Sequence, residues 1–152
     1  MTAAPRRVIP GRLPGRDDDA FWAYLAAGEV RIQRCGECGQ WRYPPSPVCA
    51  RCLSEAAQWL PVEGTGELLS WATFHRRYFS VLDPPYTVLA VALAEGPIMC
   101  GDLRGPDHIQ DPAELRLGLP MRLVIEPAVF EDGQECSIFG WQVAEPGKGG
   151  TP

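Results

Sequence analysis

Four cysteines constrain this chain more than any other feature: Cys35, Cys38, Cys49 and Cys52, in the pattern Cys-x2-Cys, ten residues, Cys-x2-Cys. Two residues between thiols let one tight turn aim both sulfurs at a single ion, with backbone amides turned toward them. Two such turns supply four sulfurs in a tetrahedron, which suits zinc. The gap is shorter than the usual spacing of about 15 to 20 residues, but a short hairpin closes over it. Gly36 and Gly39 fit the first turn, and Pro44, Pro45 and Pro47 stiffen the return to the second. Two disulfides would need an oxidising compartment, to which nothing in the sequence points. One redox-active pair would leave the second pair unexplained. Iron fits the same four sulfurs as zinc. With four protein ligands no position stays open for substrate, so the expected metal is structural. Cys100 and Cys136 have no partner at this spacing and read as small core residues.

The chain of 152 residues has room for one ordinary domain or two small ones. Its 16 prolines and 16 glycines favour short elements joined by turns over long helices. No run approaches the roughly 18 apolar residues of a membrane span. Met1 to Arg16 carries arginines without an apolar segment behind them, so a cytoplasmic protein with reduced thiols is expected. The net charge of −5 is unevenly spread: up to Leu60 eight arginines face six acids, and from Pro61 onward thirteen acids face six bases. A duplex-DNA binder presents a basic face to phosphate, and the second half here is acidic.

Met1 to Arg16 reads as a flexible, extended arm. Asp17, Asp18 and Asp19 offer a cap and first-turn acids for a helix over Ala20 to Ala27, which Gly28 stops. Glu29 to Arg34 suits a strand into Cys35, and Gln58 to Val62 leads out of the cysteine hairpin. After Gly64 and Gly66 the pattern changes to longer strands: Leu68 to Ser80, Tyr86 to Ala94, Pro97 to Leu103, Met121 to Phe130 and Cys136 to Val143. A loop spans Gly105 to Leu119, with a helical turn near Asp111 to Leu115. Five strands with the long connection after the third match an OB-fold barrel. The expected architecture is mainly β. An arm (1–16) precedes a helix and ribbon (17–62), then an OB-fold (63–144) and a disordered tail (145–152).

Candidate sites outside the cysteines are sparse. His75, Arg76, Arg77, Tyr78 and Phe79 form a basic-aromatic run that suits a phosphate, a coenzyme or a single strand of nucleic acid, or else a solvated strand end. His108 beside Asp107 is a non-specific pair. No serine or cysteine sits in a nucleophile elbow, and no phosphate-binding glycine loop occurs. Phe21, Trp22 and Tyr24 crowd a helix too short to stand alone. They either cover the ribbon or the barrel, or anchor a partner protein.

Taken in order, these landmarks resemble a bacterial and archaeal family that joins a rubredoxin-like zinc ribbon to an OB-fold, formerly a domain of unknown function. The carriers are Phe21-Trp22 with Gly28, Arg34-Cys35-x2-Cys38-Gly39, Tyr43-Pro44-Pro45, Cys49-x2-Cys52, Trp59, Gly64-Thr65-Gly66-Glu67-Leu68, Pro85-Tyr86 and Gly118. Ser46 departs from the arginine often found after the proline pair, and Phe139-Gly140-Trp141 departs from a phenylalanine-proline ending. The resemblance implies a non-catalytic accessory or scaffold subunit beside a thiolase-fold enzyme, an aldolase or an acyltransferase of acyl-CoA metabolism. The partner would supply catalysis, Phe21, Trp22 and Tyr24 would contact it, and Arg76 and Arg77 would meet coenzyme A phosphates. The alternative is an OB-fold module for single-stranded nucleic acid.

Overall fold

The computed structural model describes residues 6–12, 15, 17–104 and 112–144. In chain order its elements are β1 (Arg7–Ile9), α1 (Asp19–Ala26), β2 (Arg31–Cys35), β3 (Trp41–Arg42), β4 (Ala57–Pro61), β5 (Thr65–Phe74), β6 (Tyr86–Leu93), β7 (Ile98–Leu103), a 3-10 turn (Pro112–Glu114), β8 (Pro120–Phe130) and β9 (Glu135–Val143). His108, Asp107 and the 145–152 tail lie outside the described residues.

Strands β3, β2 and β4 form a small antiparallel sheet that carries the cysteine hairpin. The remaining strands close on themselves. β5 pairs with β6, β6 with β7, β7 in parallel with β9, β9 with β8, and β8 returns to β5. This is the five-stranded OB-fold barrel expected from the sequence. Its inward positions alternate as a half-buried strand requires: Thr87, Leu89, Val91 and Leu93 point into the core from β6. They meet Leu68, Met99, Met121 and Trp141. Trp141, at the point where the sequence leaves the family's usual ending, fills the centre of the barrel.

Gly66 is needed where β5 passes β6, because a Cβ there would stand 2.4 Å from the Ala92 carbonyl oxygen. Two residues later the register slips between Leu68 and Ser70, and Leu69 bulges outward.

Helix α1 ends in a Schellman arrangement: the Glu29 amide donates to the Tyr24 carbonyl, the Gly28 amide to Leu25, and Gly28 has φ 81°. Its start differs from the sequence expectation. Asp18 holds the N-cap position but gives no side-chain cap. Its carboxylate instead accepts from Trp22 Nε1 at 2.8 Å. Phe21 and Leu25 are buried in the same cluster as Val30 and Ile32 of the small sheet and Leu89 and Trp141 of the barrel. One apolar core therefore joins the helix, the ribbon and the barrel. Fully burying Leu25 contributes about 2 kcal/mol to that joint.

Two segments depart from expectation. The first barrel strand stops at Phe74, not Ser80, since its pairing with β6 ends at Phe74 opposite Tyr86. Upstream of Tyr86 stand Pro84 and Pro85, which have no amide hydrogen to extend the ladder. Residues 75–85 are consequently a loop. Conversely, the stretch read as an arm contains β1, which lies parallel to β8 along Ala128 to Phe130. β8 pairs with β5 only near its start, through Pro120 to Arg122, so its far edge is open there and β1 occupies it.

Candidate metal centre and outer barrel face

The two cysteine turns are built alike. In the first, the Cys35 amide donates to Gln40 and the Gly39 amide to Cys35. In the second, the Cys49 amide donates to Ser54 and the Leu53 amide to Cys49. Both turns place the residue after the second cysteine in the left-handed region, Gly39 at φ 72° and Leu53 at φ 61°. The four sulfurs lie within 4.8 Å of one another. Cys35 to Cys52 and Cys38 to Cys49 are each 3.6 Å apart. Sulfurs about 2.3 Å from a zinc ion in a tetrahedron would be separated by about 3.8 Å. The set fits an ion at its centre, and the sulfurs are too far apart to be disulfides.

The electrostatics agree. The Cys38 amide holds the Cys35 thiol down to about 6, against the opposing effect of desolvation. The Cys52 amide lowers Cys49 in the same way. For Cys52 the Ser54 amide also pulls down, but desolvation and the three facing thiols outweigh it and push Cys52 up to about 12. Sulfurs this close cannot all carry charge without a cation between them, and a divalent ion removes that conflict.

The other expected residues fall elsewhere. Phe21 is 4% exposed and packs against Tyr43, Phe139 and Trp22. Its ring is covered by the chain itself, the first of the two roles the sequence allowed for it. Trp22 lies against Phe130 and under the Arg12 guanidinium, and Tyr24 lies against Trp59 and Arg31. Both are half-buried. Arg76 and Arg77 are exposed on the 75–85 loop, where Arg77 ion-pairs with Asp83 and donates to the Ser80 carbonyl. His75 lines a cleft of about 510 Å³ with Arg7, Thr73, Tyr86, Asp102 and Arg104. Its two arginines are already matched, Arg7 by Asp102 and Arg104 by Glu126. Cys136 is half-buried, its thiol raised by desolvation and then by Asp132, while Cys100 is exposed and not a core residue.

The barrel also carries an apolar outer face that the strand assignments alone do not reveal. The outward positions of β5, β6 and β7 include Ala72 and Ser70, then Val88, Ala90 and Ala92, then Cys100 and Ile98, with bulged Leu69 beside them. Ile98 is 51% and Leu69 43% exposed. An open barrel face ordinarily alternates apolar-in with polar-out. Here β6, Tyr-Thr-Val-Leu-Ala-Val-Ala-Leu, is almost entirely apolar on both faces, a signal visible in the sequence.

Residues 22–56 match the rubredoxin-like zinc ribbon domain of ChsH2, and residues 59–126 match the ChsH2 C-terminal OB-fold domain. The chain belongs to the ChsH2 zinc-ribbon and OB-fold family. A 3-oxo-4,17-pregnadiene-20-carboxyl-CoA hydratase alpha subunit of Mycobacterium tuberculosis is 32% identical over 130 residues, covering 86% of this chain and 39% of that protein. A probable enoyl-CoA hydratase alpha subunit of Thermomonospora curvata is 36% identical over 123 residues, 78% of this chain and 36% of that protein. The chain thus spans well under half the length of these two relatives. Among solved structures, a chain of the Ltp2-ChsH2(DUF35) aldolase superposes with a TM-score of 0.75 at 25% identity, over 88% of this chain and 98% of that one. A DUF35-family protein of Sulfolobus solfataricus has the same fold, with a TM-score of 0.57 at 11% identity, over 86% and 87% of the two chains. No helix among the described residues is long and apolar enough to cross a membrane.

Proposed function

We propose that this chain is a non-catalytic accessory subunit that docks to an acyl-CoA-processing enzyme, with Cys35, Cys38, Cys49 and Cys52 holding a structural zinc ion. The observation that carries the docking role is the outer face of β5, β6 and β7, where Ala72, Val88, Ala90, Ala92, Ile98 and bulged Leu69 form a patch of small and branched apolar side chains bounded by Glu67 and Asp102. The relatives support the setting: two are alpha subunits of CoA-thioester hydratases, and the superposed chain is part of an aldolase assembly. The partner enzyme, of the thiolase fold, supplies the catalytic groups. The zinc ion fixes the ribbon and takes no part in the reaction, since four thiolates close its coordination. Coenzyme A contact is assigned to the exposed Arg76 and to Arg77 on the 75–85 loop, at the edge of this face.

The same face argues against the nucleic-acid module. OB-folds bind single strands across their second and third strands, here β6 and β7, with cationic and stacking side chains. The outward positions of β6 and β7 carry no lysine or arginine. Isolation of the tagged protein from its own cells tests the proposal. A stoichiometric enzyme should co-purify with the wild type, and Val88→Arg should lose it while keeping the wild-type circular dichroism. Retention of the partner by that variant would remove the face from the account, and recovery of nucleic acid instead would overturn the docking role.

A further inference from the structure

Arg42 is the one buried guanidinium of the ribbon, at 6% exposure, and no carboxylate among the described residues pairs with it. Its Nη1 donates to the Ser46 carbonyl at 3.2 Å and its Nη2 to the Ala56 carbonyl at 2.6 Å, while Nε has no partner. Ser46 precedes the second cysteine pair and Ala56 follows it. The Ala56 carbonyl also accepts from the Gly36 amide at 3.0 Å, and Gly36 directly follows Cys35. The guanidinium therefore grips both flanks of the second turn and stands within two hydrogen-bond lengths of the first. Gln33, also buried, completes the arrangement by accepting from the Ser46 amide at 2.9 Å.

A buried cation is costly unless a counter-charge faces it, and carbonyl dipoles offset only part of that cost. Four thiolates around a divalent ion leave a net double negative charge in the same small sheet. We infer that Arg42 is the counter-cation of the four-cysteine centre, a positioning residue that holds the two turns together and stabilises the charge of the loaded site. This inference rests on the metal proposed above. Two other arginines stand near the turns and differ in exposure. Arg34 lies over the Trp41 ring and donates to the Gly39 carbonyl, and Arg51 sits within the second turn. Both are exposed, and solvent and salt screen them.

The experiment uses the full chain loaded with zinc or cobalt(II). A wild type without one bound ion per chain would defeat the metal itself, independently of Arg42. With the wild type loaded, Arg42→Gln and Arg42→Met should release zinc to a chelator about tenfold faster, as removal of an outer partner of a metal site does. Arg42→Lys, which keeps the charge and loses the fork, should stay within about threefold of wild type on the same scale. The sulfur-to-cobalt charge-transfer band is the readout that a merely structural clamp would not move. Losing a nearby positive charge raises the energy of the thiolate electrons, so the band should shift to longer wavelength in Arg42→Gln and remain in place in Arg42→Lys. An unshifted band in Arg42→Gln, or lysine behaving like glutamine, overturns the counter-cation role. If the glutamine and methionine variants do not fold, the lysine variant decides, because a geometric clamp would fail there and a charge partner would not.

Discussion

The ribbon and the barrel are stabilised in opposite ways. The barrel strands run from six to eleven residues and bury a contiguous set of leucine, valine, methionine and tryptophan side chains. Its stability comes from area removed from water. The ribbon has strands of five, two and five residues, and two of its buried side chains, Gln33 and Arg42, are polar. So little apolar area cannot offset the entropy of ordering a hairpin that long. The four thiols make up the difference, because binding a structural metal is itself folding free energy. The proposed docking role would gain from this division. The barrel can leave one face apolar and open, while the ribbon keeps its shape without a large core.

Removing the metal tests this division most severely. Cys49→Ser, at a fully buried sulfur, should empty the site. The lost binding energy is on the order of 10 kcal/mol, more than so small a sheet can replace. Amide resonances from residues 31–61 should collapse toward random-coil positions while those of β5 to β9 remain dispersed. Simultaneous collapse of both sets would mean that the shared core around Leu25 and Ile32 makes them one cooperative unit, and the comparison would fail.

How much of this was legible in the sequence differs along the same division. The cysteine spacing defines the ribbon by itself, because ligand geometry is local. The barrel strands were legible as the longer strand-like runs between turn residues that follow Gly64 and Gly66, except where pairing rather than composition set the limit. His75 to Ser80 has strand-like composition, and only the Pro84-Pro85 block on the neighbouring strand denies it a partner. β1 is three residues long and shows no period, and its place is decided by the vacant edge of β8. Arg42 reads as an ordinary charged residue on a two-residue strand. Its burial depends on carbonyls at Ser46 and Ala56, which no periodicity brings to it. The aromatics of α1 were legible as a cluster seeking cover, but the stripe does not say whether the cover is internal.

That last point gives a smaller effect and a sharper test of where ribbon and barrel meet. Trp22 touches Phe21, Phe130 and the Arg12 guanidinium, and its indole donates to Asp18. A half-buried tryptophan in such contacts is expected to cost about 2 kcal/mol on truncation, somewhat less than a fully buried one. Trp22→Ala should lower the unfolding free energy of the zinc-loaded chain by that amount, read as a lower denaturation midpoint, while one metal ion per chain is retained. A midpoint equal to wild type would return Trp22 to the partner-anchoring role expected from the sequence.

The smallest effect compares the two cysteine turns with each other. Each requires a left-handed residue after its second cysteine, and the first uses Gly39 while the second uses Leu53. For a residue with a Cβ this conformation costs roughly 1–2 kcal/mol. Leu53 recovers little of it by packing, since its side chain is 75% exposed. Glycine would relieve the strain but loses more freedom on folding, by about 0.5–1 kcal/mol. Leu53→Gly should therefore stabilise the loaded protein by roughly 0.5–1 kcal/mol, and Gly39→Ala should destabilise it by a similar amount. Paired melts of the two variants measure both. A leucine kept in a strained, exposed position at the tip of the ribbon invites one further comparison. If Leu53→Gly raises the melting temperature yet weakens retention of the co-purifying enzyme, the second turn is part of the docking surface. If it raises the melting temperature and leaves retention unchanged, contact is confined to the barrel face, and the two turns differ only in strain.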